Sequence, residues 1–301
     1  MDKQLSPKVS VVIPTANRAS LVKRAISSVL NQDYANIECI VVDDASKDDT
    51  GKVVKEITDS RLIYLRHDSS KHASATRNTG INAATGDYIA FLDDDDEWLQ
   101  GKLTKQVELL KEAGENVGMV YCWMEYCDDQ RTISYRKPEL EGYIFKETLS
   151  KQPIGNSSTL LVKRKVIDEV GGFDESLPRG NDGDFIRRIC QKYSVEYIAE
   201  VLVRIFIEHG HERITSNDLS GVRNGLNAQY TKLKKFKSEL RVYPKEFAEI
   251  YRMIYLDHVM LSEYRKALVA WSNAIRLHAS SISNITIVIK SIKRSLKGIG
   301  R

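Results

Sequence analysis

Four short apolar runs, each trailed by a segment of helical spacing, dictate what the first hundred residues can become. Residues 9–14, VSVVIP, are β-branched and stopped by proline, as a buried strand would be. From there Leu21, Val22, Ala25, Ile26, Val29 and Leu30 recur at helical intervals. IECIVVDD reads as a second strand; Ser46 then stands as an N-cap, with Asp49 in capping-box position, ahead of a helix carrying Val53, Val54 and Ile57. RLIYLRH is a third strand, residues 73–84 a third helix closed by Gly86, and DYIAFLDD a fourth strand. Leu99, Leu103, Val107 and Leu110 mark the helix after it. Strands joined by helices pair in parallel, with the helices covering the sheet. The expected class is α/β.

Further along, GMVYCWMEYCDD reads as a strand, SSTLLVKRKVIDEVGGFDE as strand, short helix and glycine turn, and NDGDFIRRICQKY as a helix with acids at its start. From about Gly221 the pattern is almost wholly helical, which places a boundary near Asp218: a domain over 1–218 and a helical region over 219–301. A net charge of +4 is too small to argue for nucleic acid. The cysteines Cys39, Cys122, Cys127 and Cys190 include no C-x-x-C pair, so a zinc site is not expected, and a reducing cytoplasm is the expected setting. The N-terminus lacks a signal-peptide pattern, and no window reaches the ~18 apolar residues of a membrane span.

In open parallel sheets, ligands collect beyond the carboxyl ends of the strands. Pro14, Asp43, Asp44 and the run Asp93–Asp96 all fall at such ends. Four adjacent carboxylates exceed what capping a helix requires. A calcium loop of the EF-hand type fails, because its glycine position is Trp98 and its closing glutamate position Thr104. In a D-x-D-x-T/V phosphatase motif, Glu97 would occupy the Thr/Val position. Mn²⁺ or Mg²⁺, held by one or two carboxylates plus a ligand's phosphates, fits better. Asp43 and Asp44 suit a base N–H or ribose hydroxyls, with a simple turn as the alternative. Neither a G-x-G-x-x-G after the first strand nor a Walker A loop is present.

VSVVIPTANR, SSVLNQDYANIECIVVDDASKDDT, SATRNTGINAATGDYIAFLDDDDEW, GGFDE and the later NDGDFIRR together resemble, in order, the pattern of family 2 glycosyltransferases. The resemblance covers roughly residues 7–215. It implies the GT-A fold, a Rossmann-like, mostly parallel mixed sheet flanked by helices, here with a helical C-terminal extension. It also implies an inverting transfer of a sugar from a nucleotide donor, commonly a UDP-sugar, to an acceptor hydroxyl. By that resemblance Pro14, Thr15 and Asn17 belong to the loop at the nucleotide. Asp44 accepts the uracil N–H with Asp43 beside it, and Arg77 is a cation near the phosphates. Asp93 and Asp94 lie near the ribose, Asp95 holds the metal, and Asp182 is the general base. The aromatic usual two residues after the proline is Ala16 here, and the usual glutamate before the base is Asn181. Asp184 competes with Asp182, for which a helix cap is the plain alternative. His211 matches a histidine near the metal, with His209 as its rival and a surface histidine as the plain alternative.

The tail NITIVIKSIKRSLKGIGR sets apolar residues on one stripe, with Lys and Arg off it. A basic amphipathic helix can lie on an anionic membrane surface, here the inner face of a cell membrane. It would suit a lipid-linked saccharide acceptor in bacterial surface polysaccharide synthesis. The alternative is packing on the catalytic domain or on a second subunit of a homo-oligomer. Two rival functions are a nucleotidyltransferase, which would show a glycine-rich basic loop after the first strand, and a non-catalytic nucleotide-sugar-binding protein.

Overall fold

The computed structural model describes residues 6–128, 130–207 and 218–278. Among them the strands are β1 (Val9–Thr15), β2 (Ile37–Asp43), β3 (Leu62–Arg66), β4 (Tyr88–Phe91), β5 (Asp96–Trp98), β6 (Val117–Cys127), β7 (Thr132–Arg136), β8 (Leu161–Lys163) and β9 (Ser194–Phe206). The helices are α1 (Ala19–Leu30), α2 (Thr50–Lys55), α3 (His72–Ala83), α4 (Lys102–Glu112), α5 (Phe145–Ser150), α6 (Arg164–Val170), α7 (Asn181–Cys190), α8 (Leu219–Lys235), α9 (Lys237–Val242), α10 (Pro244–Met260) and α11 (Tyr264–Leu277). One compact unit holds the described residues up to Phe145, Pro153–Ser176 and 181–207; the other holds Lys146–Gln152, Leu177–Gly180 and 218–278.

The first unit is built on one mixed sheet in the order β3-β2-β1-β4-β8-β6-β9-β5, with β7 paired to β6. β3, β2, β1 and β4 run parallel, as their alternation with helices requires. β4–β8, β8–β6 and β9–β5 are antiparallel, and β6–β9 is parallel. Successive strand residues point to opposite faces, and both faces are buried. Val9, Val11 and Ile13 join Val22, Ile26, Val29, Val54, Leu103 and Val107 in one core, which places α1, α2 and α4 on that side. Val12, Ile40, Val42 and Phe91 join Ile81, Val166, Phe185 and Ile189 in the other, with α3, α6 and α7. Register sets the site: Thr15 pairs with Asp43, and Val12 with Phe91, so the loops after β1, β2 and β4 open on the same sheet edge.

Local structure departs from the sequence expectation at three places. Ser46 does not cap α2, which starts at Thr50; its hydroxyl instead accepts the Asn17 N–H at 2.8 Å, tying two loops together. Gly86 does not close α3, which is capped by Ala84. Its N–H donates to Ser10 Oγ at 2.8 Å, and a Cβ there would lie 2.6 Å from the Lys8 carbonyl oxygen. The acidic run does not lead into a helix, because Asp96–Trp98 pair with β9 and α4 begins only after Gly101, whose φ is +83°. β9 itself is long and only partly buried, and Glu196, Glu200 and Arg204 break up its apolar pattern.

The second unit contains α8, α9, α10 and α11. Asp218 caps α8 by accepting the Gly221 N–H at 2.7 Å, and Pro244 opens α10, where its missing N–H costs nothing. No described helix is long and apolar enough to cross a membrane.

Candidate active site

The loops after β1 and β2 are locked together by short polar side chains. Asp43 is fully buried; one carboxylate oxygen accepts the Ser46 N–H at 2.8 Å and the other the Tyr64 hydroxyl at 2.6 Å. Asp44 accepts from His67 Nδ1 and the Lys71 N–H on one oxygen, and from Ser70 Oγ and the His72 N–H on the other, all within 3.0 Å. Burial pulls the Asp44 pKa up, but these bonds outweigh it and hold the carboxylate below its ordinary range. Asn17 Oδ1 accepts the Lys47 N–H at 2.8 Å. Asn17, Ala45 and His72 take left-handed φ values of 54°, 59° and 67°, a costly backbone for side-chain-bearing residues. All three stand in these loops or where α3 begins. Pro14, in register with Val42, is partly exposed beside them.

The run after β4 is held residue by residue. Asp93 Oδ1 accepts from Arg77 Nη2, and the 6% exposed Arg77 guanidinium lies 5.2 Å from the Phe173 ring centroid. Burial opposes the Arg77 charge, but Asp93 and Asp182 outweigh it and raise its pKa. Thr15 Oγ1 donates to Asp94 at 2.7 Å; burial, with the nearby Asp95 charge, pushes the Asp94 pKa up to about 7. Arg18 pairs with the Asp95 carboxylate at 3.1 Å, and Arg24 donates to the Asp95 carbonyl at 2.7 Å. Asp96 is 2% exposed, and burial with the charges of Asp95 and Asp93 raises its pKa well above the usual range.

Oxygens of Asp93, Asp95 and Asp96 lie within 4.8 Å of one another. Three carboxylates gathered this closely repel, which Arg18 and Arg77 offset only in part. An all-oxygen donor set is what a hard divalent cation such as Mn²⁺ or Mg²⁺ takes, so the residues fit such an ion.

A turn of residues 156–159 supports the cluster from behind. Ser158 Oγ donates to Asp96 at 2.6 Å and accepts the Asp93 N–H at 3.2 Å, while the Ser158 carbonyl accepts Trp98 Nε1–H at 2.8 Å. Beneath it Lys102, 0% exposed, donates to Gln106 at 2.8 Å and sits 3.9 Å over the Trp98 ring; Gln106 Nε2 donates to the Thr159 carbonyl at 2.9 Å. Burial pushes the Lys102 pKa down to about 8. The same turn reaches Asp182, near the start of α7: the Ser157 N–H and hydroxyl donate to Asp182 Oδ2 at 3.3 and 3.4 Å. Asp182 Oδ1 is buried without a hydrogen-bond partner among the described residues, as are Arg77 Nε and Asn156 Oδ1. Asp184, in contrast, is paired with Arg188 at 2.8 Å. A cavity of about 760 Å³ beside α2, lined by Ser46, Asp48, Lys52, Tyr64 and Arg66 among others, includes none of the aspartate run.

The model of the family described as glycosyl transferase family 2 matches residues 10–171, more than half of the chain. The chain belongs to that family. It is a glycosyltransferase. A relative from Campylobacter jejuni, named GalNAc(5)-diNAcBac-PP-undecaprenol beta-1,3-glucosyltransferase, is 41% identical over 118 residues, 38% of this chain and 37% of its own length. Among solved structures, Staphylococcus aureus TarS 1–349 in complex with UDP-GlcNAc superposes with a TM-score of 0.60 at 17% identity, covering 94% of this chain and 79% of that one. The mannosyltransferase PcManGT from Pyrobaculum calidifontis, in complex with GDP-Man and Mn²⁺, gives 0.62 at 20% identity over 97% and 81%. These likenesses confirm the GT-A architecture expected from the sequence.

In this family 2 glycosyltransferase the structure gathers most of the expected residues. Thr15, Asp94 and the Asp93–Arg77 pair adjoin one another, and Asp182 shares a turn with Asp96. His211, its rival His209 and the C-terminal tail lie outside the described residues. Sequence reasoning placed Asp96 in the acidic run but gave it no role of its own, and missed Arg18 as the partner of Asp95 and Ser157 and Ser158 as the link to Asp182. The one sequence signal for that link was the small polar stretch GNSS just before a strand.

Proposed function

We propose that this glycosyltransferase moves a sugar, with inversion, from a UDP-sugar to a hydroxyl of a glycan or lipid-linked saccharide in surface polysaccharide synthesis, and that residues 1–218 carry the catalysis. The observation that carries the reading is the carboxylate cluster of Asp93, Asp95 and Asp96 joined through one short turn to Asp182. The names of the relative and the solved neighbours, with their lipid-linked acceptor, UDP-GlcNAc, GDP-Man and Mn²⁺, support it.

Pro14, Thr15 and Asn17 border the nucleotide, with Asp43 and Asp44 at the base and Asp93 and Asp94 at the ribose. Because Asp44 already accepts four protein hydrogen bonds, a uracil N–H would displace one of them. A divalent cation held by Asp95, with Asp93 and Asp96 at hand and His211 as a further ligand, would supply positive charge to the diphosphate. As the bond from the anomeric carbon to the phosphate oxygen breaks, its electron pair leaves with UDP, and Arg77 faces the charge that develops. The acceptor oxygen attacks the opposite face and forms the new glycosidic bond. Its proton passes to Asp182 Oδ1, the oxygen without a partner among the described residues. With no covalent enzyme intermediate, one displacement inverts the centre. The basic tail adds a foothold at the inner membrane face.

The test is incubation with Mn²⁺ and a panel of nucleotide sugars, followed by detection of released nucleotide diphosphate. Release of UDP from at least one UDP-sugar in the presence of a polyprenyl-linked saccharide is expected. Release of pyrophosphate instead would overturn the reading.

A further inference from the structure

Helix α11 buries its alanines and leaves three of its larger apolar side chains in water. Its buried stripe is Ala267, Ala270 and Ala274, each 3% exposed or less, at the i, i+3, i+7 spacing of one helix face. Three of its larger apolar residues point outward, Tyr264 at 58% exposed, Leu268 at 60% and Val269 at 63%, while Trp271, Ile275 and Leu277 are half-buried. At 100° per residue these three fall in one sector with Arg265, Ser272 and Arg276, all exposed. A buried alanine seam is ordinary for a packed helix, but packing within the unit does not account for both Leu268 and Val269 standing in water beside Tyr264. The result is an exposed apolar patch with Arg265 toward one end of it along the helix and Arg276 toward the other.

Charge decides what covers it. From Tyr264 to the last residue the sequence contains no Asp or Glu, yet it carries Arg265, Lys266, Arg276, Lys290, Lys293, Arg294, Lys297 and Arg301. A second copy packed isologously on this face would bring Arg265 and Arg276 against their own counterparts with no acid on the helix to pair them. An anionic lipid surface offers hydrocarbon for Leu268, Val269 and the Tyr264 ring, and phosphates for the flanking arginines.

We propose that α11 is a membrane-contacting helix, whose Tyr264–Leu268–Val269 face enters the headgroup region of an anionic bilayer. The proposal rests on the glycosyltransferase reading only for its purpose, to hold the enzyme where a lipid-linked acceptor lies. It is distinct from the tail, since the face lies on α11, among the described residues.

The full chain is floated with vesicles of phosphatidylcholine alone and with vesicles one third phosphatidylglycerol, without nucleotide or acceptor. The wild type is expected on the anionic vesicles only. Leu268→Glu with Val269→Glu should lower partitioning at least about tenfold, since each exchange removes the transfer of an aliphatic side chain. Ser272→Leu, which enlarges the same face, should raise it. UDP affinity, measured on the same proteins, should stay unchanged, so a failure of the donor reading shows separately. Equal wild-type binding to both vesicles, or to neither, would overturn the proposal. So would a double variant that binds like wild type, or one whose only change is a shift from dimer to monomer in sedimentation.

Discussion

At Asp182 one carboxylate oxygen is held by Ser157 while the other is buried without a hydrogen bond among the described residues. A buried acceptor left empty costs free energy, so its persistence favours use by a ligand. Asp182→Asn should cut transfer about 10²–10⁴-fold, the range for loss of a general base. UDP affinity and melting temperature should change little; wild-type turnover in the purified variant would remove Asp182 from the mechanism. Ser158 sits one step back, bridging Asp96 and the Asp93 backbone. Ser158→Ala should destabilise the protein by about 1–3 kcal/mol, the cost of a buried polar partner lost. It should also weaken Mn²⁺ binding, read by titration calorimetry without any substrate. Unchanged Mn²⁺ affinity would reduce Ser158 to a structural role. The sequence could show the aspartates because four acids after an apolar strand are conspicuous in one dimension. It could not show Ser158, since serine before a strand is commonplace and its partners lie more than sixty residues away.

Among the elements, β1, β2 and the turn before β4 are stitched by a buried polar knot. Glu38, 5% exposed, accepts from Ser10 Oγ, Lys8 Nζ and the Thr85 N–H and hydroxyl. Burial alone would raise its pKa, but these donors prevail and hold it at about 2. With the folded pKa depressed from an ordinary 4.5, the contribution is full above that value and is lost as pH falls toward 2. The stability deficit of Glu38→Gln should therefore be largest near neutrality and shrink through that acid window, as followed by urea melts. A deficit that stays constant with pH would contradict the ionised knot. Gly86→Ala should cost about 1–3 kcal/mol, because its Cβ has no room beside the Lys8 carbonyl. The parallel strands were legible because burial on both faces demands unbroken β-branched runs. β5 and β9 were not: one is three residues long, and the other alternates buried and solvated stretches. The placing of Ser46 and Gly86 escaped for a different reason, since Ser46 serves a distant loop and Gly86 the strand β1, and neither the helix beside it.

Across the whole molecule, charge is sorted by position. Acids converge at the carboxyl edge of the parallel strands, and the chain beyond Glu263 carries cations alone. Composition gave only a near-neutral sum, which hides both concentrations. The α/β class and the helical C-terminal region follow from periodicity, while the carboxylate cluster required the fold to bring Asp93, Asp95 and Asp96 to one point with Asp182 nearby. The central claim is that this cluster seats a divalent ion that holds the donor's diphosphate. Calorimetric titration of UDP, with GDP as a control, into protein in excess chelator and in saturating Mn²⁺ tests it most directly. The account predicts at least about tenfold tighter UDP binding with Mn²⁺, a gain that Asp95→Ala abolishes. Equal UDP affinity with and without the ion would contradict it.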